Sequence, residues 1–399
     1  MKICILSCFA DLLLKDTGAS VRIYQLAKSL ASIGHEVHII IPNDDTITDQ
    51  YVDGIKIHCI RGFYSKAVLN ICSKILGISR PTSILFYDLL FIIRASRIIR
   101  ESDVTQIEQQ SAGGLLIPLI KKIIKKPLVV DCHDVFQALR IEHTSGLRKI
   151  LETFLEKMAY KYADIVLTVS EKERKILTSY GIRHQNIQVI PNGVDTEAFN
   201  NLLDIAQVQD RYELKKSRTV VFVGNMEYLP NQEAVHAIAS EIAPEVLNEI
   251  NNAKFLIVGR NPKGTKLPNL TFTGVVENVS ELLASSEVAI APLFRGSGTR
   301  LKILEYFSCS LPTVSTTVGV EGLAAKNEVH VLIEDDIEEF AIKVTRLLKD
   351  KALAMRLGKA ARKFVIDNYD WRNIARRLSR IYNSWEPTSV ASLDEHDKS

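Results

Sequence analysis

The chain has 399 residues, of which 46% are hydrophobic and 24% are charged, and its formal net charge is +3. One hydrophobic core rarely supports a chain of this length, so two domains are expected. The net charge is too small to indicate nucleic-acid binding, and no apolar run reaches the ~20 residues of a membrane span.

The six cysteines are scattered, with no C-x-x-C pair and no histidine at zinc-binding spacing. This pattern favours reduced thiols in a cytoplasmic protein over a disulfide framework or a metal site. The first residues, MKICILSCFADLLLK, contain no small-residue cleavage site. We interpret them as a first strand rather than a signal peptide.

Short β-type runs alternate with helical patterns from the start of the chain, which is typical of parallel sheets flanked by helices. A helix is predicted over 19–33, and Gly34 stands where a glycine in the left-handed conformation ends a helix. In the first half, strands are predicted at 2–7, 36–41, 55–60, 104–108, 128–132, 165–170 and 187–190.

A polar stretch with little helical pattern follows IPNGVD (190–195), and we place the domain boundary there. The N-terminal domain is predicted at 1–195, a linker at 196–217 and a C-terminal domain at 218–369, with a disordered tail at 387–399. The second set of strands is predicted at 219–223, 254–258, 270–273, 288–292, 312–315 and 329–333. Two doubly wound α/β domains bind ligands at the carboxyl ends of their strands.

The segment FRGSGTRLKILEYF (294–307) lies between a predicted strand and a helix predicted at about 299–308. Its glycines allow close backbone approach, and amides at a helix start favour an anion. Arg300 and Lys302 add two cations, and Glu305 shares a helix face with Lys302. The pattern predicts a diphosphate site in which Glu305 accepts from sugar hydroxyls. The alternative is a surface Lys–Glu pair after an ordinary loop.

Five further candidate positions end a predicted strand, follow one or open a helix. Gly18 in DTGAS (16–20) permits close approach to a ligand, or belongs to a simple helix cap. His133 in VVDCHDVF can orient a hydroxyl or take a proton, or is an ordinary core or surface histidine. Gly259 and Gly274 can leave backbone groups free to pair with a nucleobase, or simply form tight turns. Glu108, at the end of another strand, is a weaker candidate.

The segment LLIPLIKKIIKK (115–126) is apolar on one side and basic on the other. A basic amphipathic helix can lie on an anionic membrane surface. The alternative is a core-packed helix with a solvated charged face. Contact with the inner face of an anionic membrane is therefore one of two interpretations of this segment.

Taken together, these motifs resemble the family-4 group of retaining glycosyltransferases, also called glycosyl transferases group 1. The resemblance covers about 1–385 and implies the GT-B architecture of two Rossmann-like domains facing a central cleft. It also implies that the last helix, about 370–386, returns to the N-terminal domain. The motifs that carry the resemblance are GHEVHIII, DCHD, VLTVSE, IPNGVD, VFVGNMEYLPN, FLIVGRNP, FTGVVENVSELLASSEVAIAPL and GSGTRLKILEYFSCSLPTVSTTVGVEGL.

The resemblance implies a site for a nucleotide diphosphate sugar of UDP or GDP type. Arg300 and Lys302 would hold the diphosphate without a metal and stabilise its developing charge, and Glu305 would hold the ribose. Residues implied in catalysis are His133, Arg300 and Lys302. Residues implied in donor binding are Gly18, Gly224, Asn225, Gly259, Arg260, Gly274, Val276, Ser297, Gly298, Thr299 and Glu305.

The chain departs from the family pattern at three places. Asn225 stands where the family often has arginine, and the run after it through Val235 lacks the lysine that the family often has there. Ser297 stands where the family often has glutamate. The departures put in doubt a carboxylate contact to the donor sugar from position 297. They also favour a family subset in which Arg300 and Lys302 carry the phosphate contact alone.

The sequence thus predicts a cytoplasmic glycosyltransferase that moves a hexose, with retention, to a hydroxyl of a glycan or lipid-linked acceptor. Cell-surface polysaccharide or lipid-linked glycan assembly is the expected setting, and nucleic acid is not an expected partner. Two alternatives remain open. One is a catalytically silent GT-B partner subunit, and the other is a sugar nucleotide epimerase or hydrolase.

Overall fold

Parallel β-sheets organise the protein, as the alternation of strand and helix patterns predicts. The structure is a computed structural model that describes residues 1–7, 12, 18–42, 49–60, 89–109, 117, 120–121, 124, 126–133, 147–199, 205–260, 267, 269–296 and 299–385. The chain divides into two units. The first comprises Met1–Ile190 and Ile374–Ser399, and the second comprises Pro191–Asn373.

The first unit contains a sheet to which the described residues contribute eight strands, in the order β3-β4-β2-β1-β5-β6-β7-β8. Neighbouring strands are parallel except for the antiparallel pair β3 and β4. The strands are β1 (Lys2–Leu6), β2 (Glu36–Pro42), β3 (Gln50–Val52), β4 (Ile55–Ile60), β5 (Val104–Gln109), β6 (Leu128–Cys132), β7 (Ile165–Thr168) and β8 (Ile187–Val189).

The hairpin strand β3 was not predicted. It has three residues, and its Tyr51 side chain is 76% exposed, so it shows no hydrophobic alternation. The turn to β4 is Asp53–Gly54, with φ values of 51° and 79°. An Asp-Gly pair with two positive φ angles is the preferred two-residue hairpin turn. That dipeptide was the available sequence signal.

Helices flank the first sheet. The first helix covers 18–32, which agrees with the predicted 19–33 within one residue at each end. Its Ile23, Leu26 and Leu30 side chains are buried. Gly34 has a φ of 94° and its amide bonds to Ala31 O, so it ends the helix as predicted. The helices are α1 (Gly18–Ser32), α2 (Leu89–Glu101), α3 (Leu147–Tyr162) and α4 (Glu171–Ser179).

The second unit contains a parallel sheet in the order β11-β10-β9-β12-β13-β14, counted over the described residues. This is the doubly wound order, and its switch point lies between β9 and β12, where ligands usually bind. The strands are β9 (Arg218–Val223), β10 (Ala253–Val258), β11 (Leu270–Gly274), β12 (Val288–Ala291), β13 (Thr313–Ser315) and β14 (Leu332–Ile333).

Helices of the second unit cover both faces of this sheet. The segment 196–217, expected to be a linker, lies inside this unit and contains a helix. Leu214 belongs to an apolar core cluster of this unit, and the side chain of Val208 packs against that cluster. These contacts explain why the segment belongs to the unit. The helices are α5 (Ile205–Arg211), α6 (Leu229–Ala237), α7 (Ala243–Glu249), α8 (Val279–Ala284), α9 (Leu301–Ser308), α10 (Ile337–Lys349) and α11 (Lys351–Tyr369).

The last helix is α12 (Trp371–Asn383). Its residues up to Asn373 belong to the second unit, and its residues from Ile374 onward belong to the first. Leu378 and Tyr382 are buried, and the Ser379 hydroxyl lies 2.8 Å from Nε2 of His35. This part of the helix therefore packs within the first unit. The predicted tail 387–399 lies outside the described residues.

Gly358 on α11 tests the packing of the second unit. A Cβ at this position would lie 2.0 Å from Ser310 O, just beyond α9. We expect Gly358→Ala to destabilise the protein by about 1–3 kcal/mol, because backbone must shift to relieve the overlap. The same exchange in an exposed helix would stabilise by about 1 kcal/mol.

Urea unfolding measures the change. Met355→Ala, at an exposed position on the same helix, is the control and should change stability by less than about 0.5 kcal/mol. A Gly358→Ala protein more stable than wild type would contradict this packing.

Candidate functional site

Glycines join the carboxyl ends of β9, β10 and β11. The amide of Gly224 bonds to Val258 O at 2.9 Å, and the amide of Gly259 bonds to Gly274 O at 3.0 Å. A Cβ on Gly259 would lie 2.1 Å from Gly224 O, so only glycine fits there. The Gly259 amide is therefore already paired with the Gly274 carbonyl, whose oxygen has a second lone pair that can accept another hydrogen bond.

The other predicted residues of these turns have mixed surroundings. Arg260 is exposed, and its guanidinium lies 3.6 Å from the Glu227 carboxylate. The Arg260 carbonyl accepts from the amide of Met226. Val276 packs its side chain against the apolar core of the unit. A contact between these turns and a nucleobase stays a prediction.

Helix α9 begins beside the end of β9. Tyr306 is fully buried, and its hydroxyl accepts from the amide of Val223 at 2.8 Å. The helix is therefore fixed against the last residue of β9, close to the switch point of the sheet. Lys302, one turn before Tyr306, and Glu305, directly before it, lie on the partly exposed face of the helix.

Lys302 is held by a residue that the sequence analysis missed. Its Nζ donates to Oδ1 of Asn231 at 2.8 Å and lies 4.0 Å from the Phe222 ring centroid. Asn231 in turn donates to the carbonyl of Asn225 at 2.8 Å. A Cβ on Gly224 would lie 2.9 Å from the Asn231 side chain, so glycine makes room for this contact. The sequence signal for this contact was the fragment YLPN, which lies at the end of the motif VFVGNMEYLPN.

Burial and the neighbouring Arg300 lower the pKa of Lys302 from 10.5 to about 7, while Glu305 opposes that change. Burial also raises the pKa of Glu305, against the effect of Lys302. Two cations that lie close together in a half-buried site repel each other, and a nearby anion stabilises the charged form of each. The arrangement can therefore bind a ligand with concentrated negative charge.

Arg300 lies at the start of α9 and is 9% exposed. Gly296 has a φ of 126°, and a Cβ there would lie 2.7 Å from Nη2 of Arg300 and 3.1 Å from the Tyr228 hydroxyl. The glycine thus lets the guanidinium pack against the loop. The hydroxyl of Thr299 is buried and has no hydrogen-bond partner among the described residues. Ser297 and Gly298 lie outside the described residues.

A second polar cluster lies at the carboxyl ends of β5 and β6 in the first unit. Arg22 on α1 donates to both oxygens of Asp131, at 2.9 and 3.0 Å, and both side chains are buried. This ion pair ties α1 to β6. Gly18 opens the same helix, and a Cβ there would meet nothing within 4 Å, so packing does not require a glycine.

His133 follows β6 and is 10% exposed in its side chain. Its Nε2 lies 2.6 Å from Oε2 of Glu108 on β5. Burial lowers the pKa of His133, but the hydrogen bond to Glu108 and the charge of Asp131 outweigh it, so the pKa is raised above 6.5. Nδ1 is buried and has no partner among the described residues.

Ligand atoms of Glu108, Asp131 and His133 lie within 4.8 Å of one another. Carboxylate and imidazole groups can hold a divalent cation. However, both Asp131 oxygens already accept from the Arg22 guanidinium, whose positive charge would repel a metal ion. The cluster therefore fits a charge-balanced ion-pair network better than a metal site.

Much of the basic segment 115–126 lies outside the described residues. Lys121 pairs with Asp164, and Nζ of Lys126 donates to the carbonyl of Ser102 at 2.6 Å. These two lysines therefore bind other parts of the protein. Among the described helices, none combines the length and the apolar character that crossing a bilayer requires. Contact with a membrane surface stays a prediction.

Comparison with known families places these clusters in context. A family model described as Glycosyltransferase Family 4 matches residues 17–198, and one described as Glycosyl transferases group 1 matches residues 217–350. The two matches follow each other along the chain and together cover most of it. The second includes the whole Lys302 cluster, and the first includes His133.

Known proteins similar to the chain include N-acetyl-alpha-D-glucosaminyl L-malate synthase of Bacillus anthracis, which is 22% identical over 92% of this chain and 93% of its own. The UDP-Gal:alpha-D-GlcNAc-diphosphoundecaprenol alpha-1,3-galactosyltransferase of Escherichia coli is 24% identical over 87% of each chain. The structure of HepE from Anabaena in complex with UDP is similar with a TM-score of 0.69 at 15% identity, covering 96% of this chain and 100% of that one. The predicted GT-B architecture, with two Rossmann-like domains, is confirmed.

The low pKa of Lys302 predicts a pH-dependent effect on stability. In the unfolded chain its pKa returns to about 10.4, so between about pH 7 and pH 10 the unfolded state binds more protons and stability rises with pH. The cost of the buried cation is therefore largest below pH 7. Lys302→Met should raise the melting temperature more at about pH 6.5 than at about pH 9.5.

Thermal unfolding of Lys302→Met, Lys302→Arg and wild type measures this effect. Arginine keeps its charge over this range, so Lys302→Arg should lose the pH dependence without the stabilisation. An equal difference between Lys302→Met and wild type at both pH values would contradict a lowered Lys302 pKa.

Proposed function

The chain belongs to the family-4, group-1 glycosyltransferases, and we propose that it transfers a hexose from a UDP- or GDP-type nucleotide diphosphate sugar to a hydroxyl group. The transfer proceeds with retention and without a bound metal. The donor diphosphate binds at the start of α9, where its charge meets Arg300 and Lys302. Glu305 accepts from hydroxyls of the ribose.

The contact between Lys302 and Asn231 carries this proposal. It places an ammonium group over the Phe222 ring before any ligand arrives, with Arg300 close by. Cations fixed in advance stabilise charge that develops on a leaving group, because no reorganisation is needed at the moment of bond cleavage. A departing nucleoside diphosphate develops such charge. Amides at the start of α9 favour the same anion.

A UDP-type donor is supported by the similar HepE, which was solved in complex with UDP. An acceptor of glycan or lipid-linked type is supported by the similar Escherichia coli protein, whose name specifies a diphosphoundecaprenol-linked sugar. We propose that this chain acts in cell-surface polysaccharide or lipid-linked glycan assembly. Any contact with an anionic membrane would use Lys122 and Lys125, which lie outside the described residues, because Lys121 and Lys126 bind the protein itself.

Nucleotide binding tests the donor site. UDP, GDP, ADP, dTDP and CMP are each added, with and without Mg²⁺, and thermal unfolding is followed. A ligand at a hundred times its Kd adds about 2.7 kcal/mol of stability, so binding is readily detected. We expect UDP or GDP to stabilise wild type without Mg²⁺ and to lose this effect in Lys302→Ala.

The matched control is Lys343→Ala, since Lys343 lies in the same unit and donates to Glu334 instead. Its nucleotide response should equal that of wild type. Stabilisation that appears only with Mg²⁺ would contradict metal independence. No stabilisation by any nucleotide would favour the silent partner subunit, and donor turnover without acceptor would favour the epimerase or hydrolase.

A further inference from the structure

A chain of side-chain hydrogen bonds connects the last helix to His133 within the first unit. The Tyr382 hydroxyl on α12 donates to Oε1 of Gln106 on β5. Nε2 of Gln106 donates to Oε1 of Glu108 at 2.5 Å, and Oε2 of Glu108 lies 2.6 Å from Nε2 of His133. Gln106, Glu108 and Tyr382 are at most 3% exposed, so water does not compete for these bonds.

The chain can run in one direction only. An ionised carboxylate accepts and never donates, so Glu108 requires an N–H from Gln106 on one oxygen. The Gln106 carbonyl then faces Tyr382, which must donate. Burial raises the pKa of Tyr382 well above 10, so its hydroxyl keeps the proton that it donates.

The same reasoning places a proton on His133. The second oxygen of Glu108 also needs a donor. Burial and the charge of Asp131 raise the pKa of Glu108, but the hydrogen bond from His133 opposes that change and the pKa of His133 is raised as well, so we place the shared proton on Nε2 of His133. At a pH above the raised pKa of His133 the imidazole is neutral and carries one proton, so Nδ1 is then left as an acceptor. Nδ1 is the ring nitrogen without a partner among the described residues.

We propose that the Glu108 carboxylate, which only accepts, holds neutral His133 in the Nε2-protonated tautomer, and so makes Nδ1 the atom that accepts a hydrogen bond from a substrate hydroxyl. Tyr382 on α12 fixes the orientation of the Gln106 amide that faces Glu108. The three residues are positioning residues, since each acts through His133. That His133 meets substrate rests on the proposed function, but the tautomer itself does not.

Replacing Glu108 by glutamine gives a sharp test, because glutamine has one acceptor and one donor group. Gln106 still presents an N–H, so the carbonyl of the new side chain must face Gln106. Its NH₂ group then faces His133, which must accept through Nε2 and carry its proton on Nδ1. Glu108→Gln should therefore invert the tautomer.

In Glu108→Gln the direction of the chain comes from Tyr382, so removal of Tyr382 should abolish the inversion. In Tyr382→Phe with Glu108→Gln, Gln106 can turn its amide over, and a mixture of tautomers is expected. Tyr382→Phe alone should keep the proton on Nε2, because the Glu108 carboxylate still only accepts. The matched control is Tyr24→Phe with Glu108→Gln, since Tyr24 is another buried tyrosine, bonded to Asp53 at 2.5 Å.

NMR of the full-length protein labelled with ¹⁵N-histidine distinguishes the two tautomers, and His133→Asn identifies the signal. Wild type with Nε2 protonated, inversion in Glu108→Gln and a mixture only when Tyr382 is also replaced would support the inference. An unchanged tautomer in Glu108→Gln, or the same inverted state with and without Tyr382, would overturn it. If Glu108→Gln does not fold, Glu108→Ala replaces it and should give a mixture, whereas a pure Nε2 form would overturn the inference.

Activity separates this inference from the proposed function. If His133 acts on substrate, Glu108→Gln should lower kcat about tenfold or more, with donor KM changed less than about twofold. Inversion of the tautomer with unchanged kcat would support the control of the tautomer by Glu108 and contradict the role of His133 in transfer. Loss of nucleotide binding in Lys302→Ala reports on the donor site and is independent of either result.

Discussion

The half-buried ammonium of Lys302 is the interaction on which the organisation of the second unit's site depends. A cation in apolar surroundings needs a hydrogen-bond acceptor, and Oδ1 of Asn231 lies 2.8 Å from Nζ of Lys302. Asn231 fits because Gly224 has no side chain, and Lys302 arrives there because Tyr306 fixes α9 to the end of β9. Each of these contacts restricts the position of the Lys302 ammonium group, so its charge is held in place before an anion binds.

The cluster of the first unit shows the opposite electrostatic arrangement. Arg22 and Asp131 neutralise each other inside the protein, and Glu108 faces His133. A buried network of this kind keeps one arrangement of hydrogen bonds when every member has a partner. The unit therefore offers an imidazole held by Glu108 rather than an excess of charge. In the proposed function, the Lys302 site stabilises a leaving diphosphate and His133 directs a hydroxyl.

The sequence predicted what depends on local pattern. Parallel strands follow from apolar runs between helices, and Gly34 and α9 follow from neighbouring residues, so these were found within a few positions. The contact of Asn231 with Lys302 and the chain from Tyr382 to Gln106 join residues 71 and 276 positions apart, which no local pattern encodes. The hydrogen bond from the Gly259 amide to the Gly274 carbonyl was likewise not predicted, because it depends on the spacing of neighbouring strands.

If the start of α9 holds a nucleoside diphosphate, a crystal structure of the protein with UDP or GDP should show diphosphate oxygens within hydrogen-bond distance of Lys302 Nζ and the Arg300 guanidinium. A nucleotide bound away from α9, with Lys302 still bonded only to Asn231, would contradict this donor site.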